Sequence, residues 1–284
     1  MALLTVQILF GLNYVISKVV VTHFPPLVWA SIRIIISAII LGSIAIALKR
    51  PFPKDGKKFF IPLIGLALLG SILNQASFLV GLRLTTSTNS AILNTLIPVF
   101  TFLIVMVRGQ EKVNLRKIIG LLSAFVGVLT IRKIENFKFS DQTFIGDLLM
   151  IFNCFCYGLF LSYGKKFLEK YDQIWVTTWI FIYGSVGLTI FAIPDYLQFQ
   201  MPILTPVLLG SAIFAVIGGT LLTYFLNNWA LAYADSTHVA IFIYIQPVVA
   251  ALLAWAWLGE IITFRSFLSS LLIFVGVLLV RRSR

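Results

Sequence analysis

Ser236-Thr237-His238-Val239-Ala240-Ile241 leads through Pro247 and Glu260 to Phe274-Val275-Gly276-Val277-Leu278. Subtracting 149 from each number gives Ser87-Thr88-Asn89-Ser90-Ala91-Ile92, Pro98, Glu111 and Phe125-Val126-Gly127-Val128-Leu129. One offset held across about forty residues, through a proline, an acid and a glycine, marks two copies of one unit. A fixed-period repeat of this kind governs how the rest of the chain is read.

The chain is 60% hydrophobic and 11% charged, with a mean hydropathy of +1.00. Soluble domains carry about 25% charged residues, so too few are present to solvate a globular surface. Apolar runs of about twenty residues recur from end to end, each long enough to cross roughly 30 Å of hydrocarbon. The fold class expected is an all-α membrane protein in contact with the lipid bilayer. The net charge of +12 lies in the gaps between the apolar runs, a pattern that orients membrane proteins and argues against a nucleic-acid partner. Cys154 and Cys156 stand two apart in one apolar run and point in different directions, which suits core residues rather than a disulfide or a metal pair. The first run starts near Met1 without a basic leader or a small-residue cleavage site, and is expected to be a retained helix.

Ten spans are predicted, at 2–21, 26–48, 59–81, 87–107, 115–131, 143–164, 174–193, 206–229, 236–258 and 264–280. Pro25-Pro26, the 51–58 run, Asn114, Pro194, Pro202 and Pro206 separate them, and Asn114 and Thr263, again 149 apart, stand where helix N-caps belong. Alternate loops divide Lys and Arg 15 to 5, with Lys18 and Arg33 inside spans. Both termini are therefore expected on the cytoplasmic side of the cytoplasmic membrane.

Five spans per copy is an odd number, so the second copy enters the membrane from the opposite side. Arg108, Lys112 and Lys117 of the first copy accordingly become Trp257, Ile261 and Ser266 in the second. The first two spans of each copy also match, with Phe10-Gly11 and Lys18 aligning with Tyr157-Gly158 and Lys165 at 147, and Trp29 with Trp175 at 146. The expected units are 1–133 and 142–284, two inverted five-helix repeats. Secondary transporters use this architecture, with a site near the midplane where the repeats meet.

With these residues the chain resembles the ten-helix EamA family of the drug/metabolite transporter superfamily. The resemblance spans essentially the whole sequence. It rests on the aromatic-Gly start near Lys18, Pro-Pro with Arg33, Pro98 with Glu111, Pro247 with Gly259-Glu260, and the two Phe-Val-Gly-Val endings. Phe10 stands where the family more often has Trp, and Gln110 where a Gly precedes the Glu in the second copy. The resemblance implies an inner-membrane exporter or facilitator of amino acids and related metabolites.

Pro98 and Pro247 sit mid-span, and each withdraws the N–H that would pair with the carbonyl four residues earlier, at Asn94 and Ile243. Such breaks are tolerated where they are buried in protein or line a wet cavity, so both are candidate hinges. Glu111 and Glu260 lie past their helix ends and are expected to fasten loops. Gly120, Gly127, Ser269 and Gly276 form small packing faces. Arg33, about 10 Å into its span, and Lys18, about 5 Å in, are candidates for the pathway or gate, because an intramembrane charge marks a route or a partner.

Polar side chains concentrate on a few spans: Asn13, Tyr14 and Ser17 on the first, Asn74 and Gln75 on the third, Asn94 and Thr95 on the fourth. Trp179 and Tyr183 lie one turn apart on the seventh, Thr220, Thr223, Tyr224, Asn227 and Asn228 cluster on the eighth, and Tyr244 and Gln246 precede Pro247 on the ninth. Facing lipid they would be unsatisfied, so they are expected to converge on a substrate pathway.

All ten Asp and Glu lie in loops or near span ends, the deepest being Asp147. No carboxylate is therefore placed to bind a cationic drug or relay a proton mid-membrane. His23 and His238 form no pair with a second acid for an enzyme or a metal site, and no G-x-x-x-x-G-K-[ST] loop is present. No cofactor is expected. The reading is a secondary transporter of amino acids or similar small polar metabolites, working by alternating access. An exchanger or importer of a nucleotide-like or adenosyl metabolite is the alternative, and a non-transporting membrane enzyme or structural protein is less well supported. A monomer is compatible with the sequence, which leaves the oligomeric state open.

Overall fold

The computed structural model describes residues 2–85, 90–91, 93–111, 114–131, 143–246, 248–249 and 264–281. Ten helices are found among them: α1 (Ala2–His23), α2 (Pro26–Ala47), α3 (Lys57–Leu84), α4 (Leu96–Val107), α5 (Leu115–Ile131), α6 (Phe144–Lys170), α7 (Gln173–Tyr196), α8 (Pro206–Tyr233), α9 (Ser236–Ile245) and α10 (Phe264–Arg281). Six of these, α1, α2, α3, α6, α7 and α8, are long and apolar enough to cross a membrane. Val15, Ile39, Ile61 and Ile190 are exposed on their outer faces, as lipid requires of an all-helical span. Helix α6 runs to Lys170, beyond the expected end at 164, because Lys165 and Glu169 pair one turn apart and support its last turn.

The helix starts follow their local chemistry. Proline opens α2 and α8, where its missing N–H would have no partner in any case. Asp172 accepts from the N–H groups of Ile174 and Trp175 at the start of α7, Thr205 from Leu208 before α8, and Asn114 from Lys117 before α5.

The repeat is visible in the backbone. Helix α3 changes to a π-helical turn at Leu68–Ile72 and α8 does so at Ile217–Leu222, and the preceding segments Lys57–Ala67 and Pro206–Val216 lie 149 apart at both ends. The proline breaks match as well. Before Pro98 the freed carbonyl of Asn94 accepts instead from Ile97 N–H, at 3.1 Å, and before position 247 the carbonyl of Ile243 accepts from Gln246 N–H. Each freed carbonyl thus finds the donor one residue before the proline, in a tighter three-residue turn.

Packing follows the same exchange. Helix α2 packs on α7, α5 on α10 and α4 on α9, and the pair α1–α8 corresponds to α6–α3. Swapping the halves maps this set of contacts onto itself. In the α5–α10 pair Ser123 donates to the carbonyl of Leu272, its own counterpart, at 3.2 Å. A Cβ on Gly120 would stand 2.7 Å from the Gly276 carbonyl, so these backbones approach as closely as glycine permits.

One end of the bundle, where α1 begins, is tied across the halves by charged groups. Arg50 pairs with Asp172 at 2.6 Å, and Lys170 with Asp55 at 3.1 Å. Glu111 and Lys117 form a buried pair at 3.0 Å, and the second Glu111 oxygen accepts from Thr237 N–H at the start of α9. Glu111 therefore fastens a loop of the first half to a helix of the second. Pro247, Glu260 and Thr263 lie outside the described residues.

Candidate functional site

Helices α1, α2, α3, α4, α6, α8 and α9 surround a central cavity with about 520 Å³ of empty space, its open side included. Phe10, Asn13 and Tyr14 reach it from α1, Arg33 from α2, and Asn74, Gln75 and Phe78 from α3. Asn94 and Ile97 line it at the break before Pro98, Asn153 and Tyr157 from α6, Gly219 and Tyr224 from α8, and Ile243 and Gln246 from α9.

Four couples among these residues are repeat counterparts: Phe10 with Tyr157, Gln75 with Tyr224, Asn94 with Ile243, and Ile97 with Gln246. The cavity therefore lies on the axis that relates the halves. Gln75 and Tyr224 meet there, the Gln75 amide N–H donating to the Tyr224 hydroxyl. In the other three couples a polar side chain stands opposite an apolar one, and in this one an amide stands opposite a phenol, so the walls are not two-fold symmetric although the backbone nearly is.

Neutral polar groups around the cavity satisfy one another. The Tyr14 hydroxyl donates to Gln246 at 3.0 Å and accepts from Asn94 at 2.6 Å, and Gln246 in turn donates to Gln7 at 2.6 Å. The Tyr224 hydroxyl donates to Asn74 at 2.9 Å, and Asn153 donates to the Asn74 carbonyl at 2.8 Å. Such a network fixes side chains that would each be costly to bury alone.

Arg33 differs from this network. Its side chain is only 1% exposed, and its Nε and Nη1 have no hydrogen-bond partner among the described residues. Among the described residues no acidic side chain lines the cavity beside it.

Seven of the candidate pathway residues stand off the cavity walls. Lys18 donates to the carbonyls of Leu82, Arg83 and Thr85 and so caps the end of α3; its counterpart Lys165 donates to Ala234 at the end of α8. These are the same tie in the two halves, since Thr85 and Ala234 are 149 apart. Ser17 donates to Asn13 at 2.8 Å and Asn227 to the Tyr157 hydroxyl at 2.9 Å, so each holds a lining residue rather than lining the space itself. The Thr223 hydroxyl turns back to the Thr220 carbonyl. Trp179 packs at a tilt against Tyr183 and edge-on against Phe60, half-buried between α7 and α3. Tyr244 is buried among α4, α5, α9 and α10, near Phe125. The tight turn at Phe242–Ile245 puts residues three apart, Ile243 and Gln246, on the cavity side and swings Tyr244 away. Pro98 is buried in α4 at the break that brings Asn94 to the wall, whereas Pro247 lies outside the described residues.

Phe78, Ile97, Asn153, Gly219 and Ile243 also line the cavity, and the pattern of polar residues did not single them out. Asn153 had a usable signal, lying four residues before Tyr157 and hence on the same face of α6. Gly219 lines the site by being small: a Cβ there would overlap the Asn13 amide.

Comparison with known proteins agrees with this architecture. The model of the EamA-like transporter family matches residues 1–133 and 144–282. An uncharacterized transporter of Archaeoglobus fulgidus is 32% identical over 233 residues, covering 81% of this chain and 79% of that protein. The uncharacterized transporter YyaM of Bacillus subtilis is 23% identical, covering 97% and 91%. A solved crystal structure superposes with a TM-score of 0.76 at 15% identity, over 99% of this chain and 96% of its own, which shows the shared fold. The chain, a multi-pass membrane protein with a central polar cavity, belongs to the EamA-like transporter family.

Proposed function

We propose that the protein is a secondary transporter that carries an amino acid or a similar small polar metabolite across the cytoplasmic membrane, as an exporter or a facilitator. The observation that carries this reading is the placement of the cavity. It lies on the axis between the halves, with amides and hydroxyls turned inward from both. A rocking motion of 1–133 against 142–284 would expose such a cavity alternately to the two sides. The paired backbone irregularities, at Leu68–Ile72 with Ile217–Leu222 and before Pro98 with its counterpart turn, are where helices can flex without breaking a regular ladder.

The excess of Lys and Arg in the loops at the α1 end supports a cytoplasmic position for that end and for both termini. The inter-half ties of Glu111, Arg50 and Lys170 lie there too. They would have to part when the cavity opens inward.

Purified protein in sealed vesicles tests this reading. Labelled amino acids should cross faster than in protein-free vesicles and emerge chemically unchanged. Stimulation by unlabelled substrate on the far side would identify exchange, and conversion into a product would show an enzyme. If no small polar metabolite crosses faster than in protein-free vesicles, the proposal fails.

A further inference from the structure

Arg33 is a full charge inside the protein with nothing of opposite sign against it among the described residues. Guanidinium does not shed its proton at any physiological pH, and a buried ion without a partner is strongly disfavoured. An internal tie to backbone carbonyls would have resolved this, but Nε and Nη1 make none among the described residues. Nor does the neutral network absorb it, because Tyr14, Asn94 and Gln246 bond to one another, as do Asn74 and Tyr224. The Gln75 amide oxygen beside this group also lacks a partner among the described residues.

We infer that Arg33 is the anchor for a carboxylate on the transported molecule, so that the substrates are small metabolites bearing a carboxylate. This rests on the transporter reading above and names the substrate class of the same cavity. The planar N–H fork of guanidinium matches an oxyanion bidentately. Charge selects among oxyanions. A phosphate monoester carries about −1.5 to −2 at neutral pH, and among the described residues no second cation lines the cavity to meet it. Lys18 and its repeat counterpart Lys165 are held by carbonyls at the ends of α3 and α8. One guanidinium among neutral amides balances one carboxylate. Phe10, Phe78, Ile97 and Ile243 would face the remainder of the ligand.

The test is the thermal unfolding midpoint of the purified full-length protein with four carboxylates: pyruvate, L-leucine, L-phenylalanine and phenylacetate. Each is set against its neutral amide or alcohol and against a phosphate of similar size. At least one carboxylate should raise the midpoint by about 2 °C or more at a concentration well above its Kd, with its neutral counterpart and the phosphate inert. Arg33→Gln should abolish that shift, and Arg33→Lys should keep part of it. Free of ligand, Arg33→Gln should unfold at or above the wild-type temperature, since an unmatched charge has gone; a purely structural arginine would give the opposite. The inference is overturned if no carboxylate acts, if the neutral or phosphate counterpart acts equally, or if the shift survives Arg33→Gln. Vesicle assays on the same compounds separate the two claims. A ligand that crosses but ignores Arg33 sinks the anchor alone, and one that binds through Arg33 yet never crosses sinks the transporter reading.

Discussion

Helices α3 and α8 change winding at the same places, through π-helical turns at Leu68–Ile72 and Ile217–Leu222, yet α3 carries Asn74, Gln75 and Phe78 where α8 carries Thr223, Tyr224 and Asn227. The contrast is sharper one helix earlier. At the offset of 146 that aligns Trp29 with Trp175, Arg33 corresponds to Trp179, which packs against Phe60 and Tyr183 away from the cavity. Backbone irregularities and glycine contacts are thus kept in both halves, whereas the chemistry of the walls is not. Duplication places the cavity on the axis. Divergence gives it two unlike sides, which suits a ligand with unlike ends.

Glycines at the π-helical turns put the largest expected effect on this comparison. A Cβ on Gly70 would overlap the ring of Phe160, and one on Gly219 would overlap the amide of Asn13; Phe160 and Asn13 are themselves counterparts, 147 apart. The geometry is duplicated but the neighbour is not. Phe160 is fully buried and cannot swing aside, so Gly70→Ala should lower unfolding free energy by about 3 kcal/mol, at the upper part of the usual range for overpacking. Asn13 can turn its amide into the cavity, so Gly219→Ala should cost about 1 kcal/mol while reducing transport more than Gly70→Ala does per molecule folded. Denaturant unfolding and vesicle uptake on the same preparations check both halves of this statement. Equal stability losses would mean that the cavity side is as tightly packed as the core side.

Much of this arrangement was legible in the sequence, for identifiable reasons. Prolines, caps and glycines punctuate the chain at fixed intervals because they act through the backbone, and the backbone is what the repeat preserves. Arg33, Asn13, Tyr14, Asn74, Gln75, Asn94, Tyr224 and Gln246 reach the cavity because polar groups in a membrane must turn inward. Inward is not the same as central, however. Lys18 turned inward to carbonyls, Thr223 to its own helix and Tyr244 to a second core. The π-helical turns left no mark that a single sequence displays, and the tight turn at Phe242–Ile245 altered the helical count just where Tyr244 was placed by it. Asn153 is a single amide in an apolar run with no polar repeat partner to mark it, its counterpart at offset 147 being Val6.

Where the halves touch, at Gln75 and Tyr224, the asymmetry has a direct thermodynamic consequence. The first half offers two amides, Asn74 and Gln75, and the second answers both with one hydroxyl. Tyr224→Phe leaves both amides short of a partner in a buried site, at a cost of about 2 kcal/mol. Gln75→Leu removes one donor and leaves the Tyr224–Asn74 bond standing, so it should cost about 1 kcal/mol. The two changes together should fall short of additivity by about 0.5–1 kcal/mol, as expected for side chains in direct contact. Strict additivity in equilibrium unfolding would show that the contact across the axis contributes nothing.

The smallest effect concerns a feature that the halves do share. Lys18 and Lys165 each reach from the first helix of a repeat to the carbonyls closing its third, at Thr85 and Ala234. If both are caps, Lys18→Met and Lys165→Met should lower stability by a similar amount, about 1 kcal/mol each. Neither should alter which carboxylate shifts the unfolding midpoint. A pathway role for Lys18 predicts otherwise, because its loss would then change ligand selectivity while the loss of Lys165 would not. Measured selectivity in the two variants therefore decides whether the asymmetry of the cavity extends to this lysine or stops at Arg33. The matched carbonyl contacts favour the latter, since a lysine held by Leu82, Arg83 and Thr85 has little freedom to follow a moving ligand.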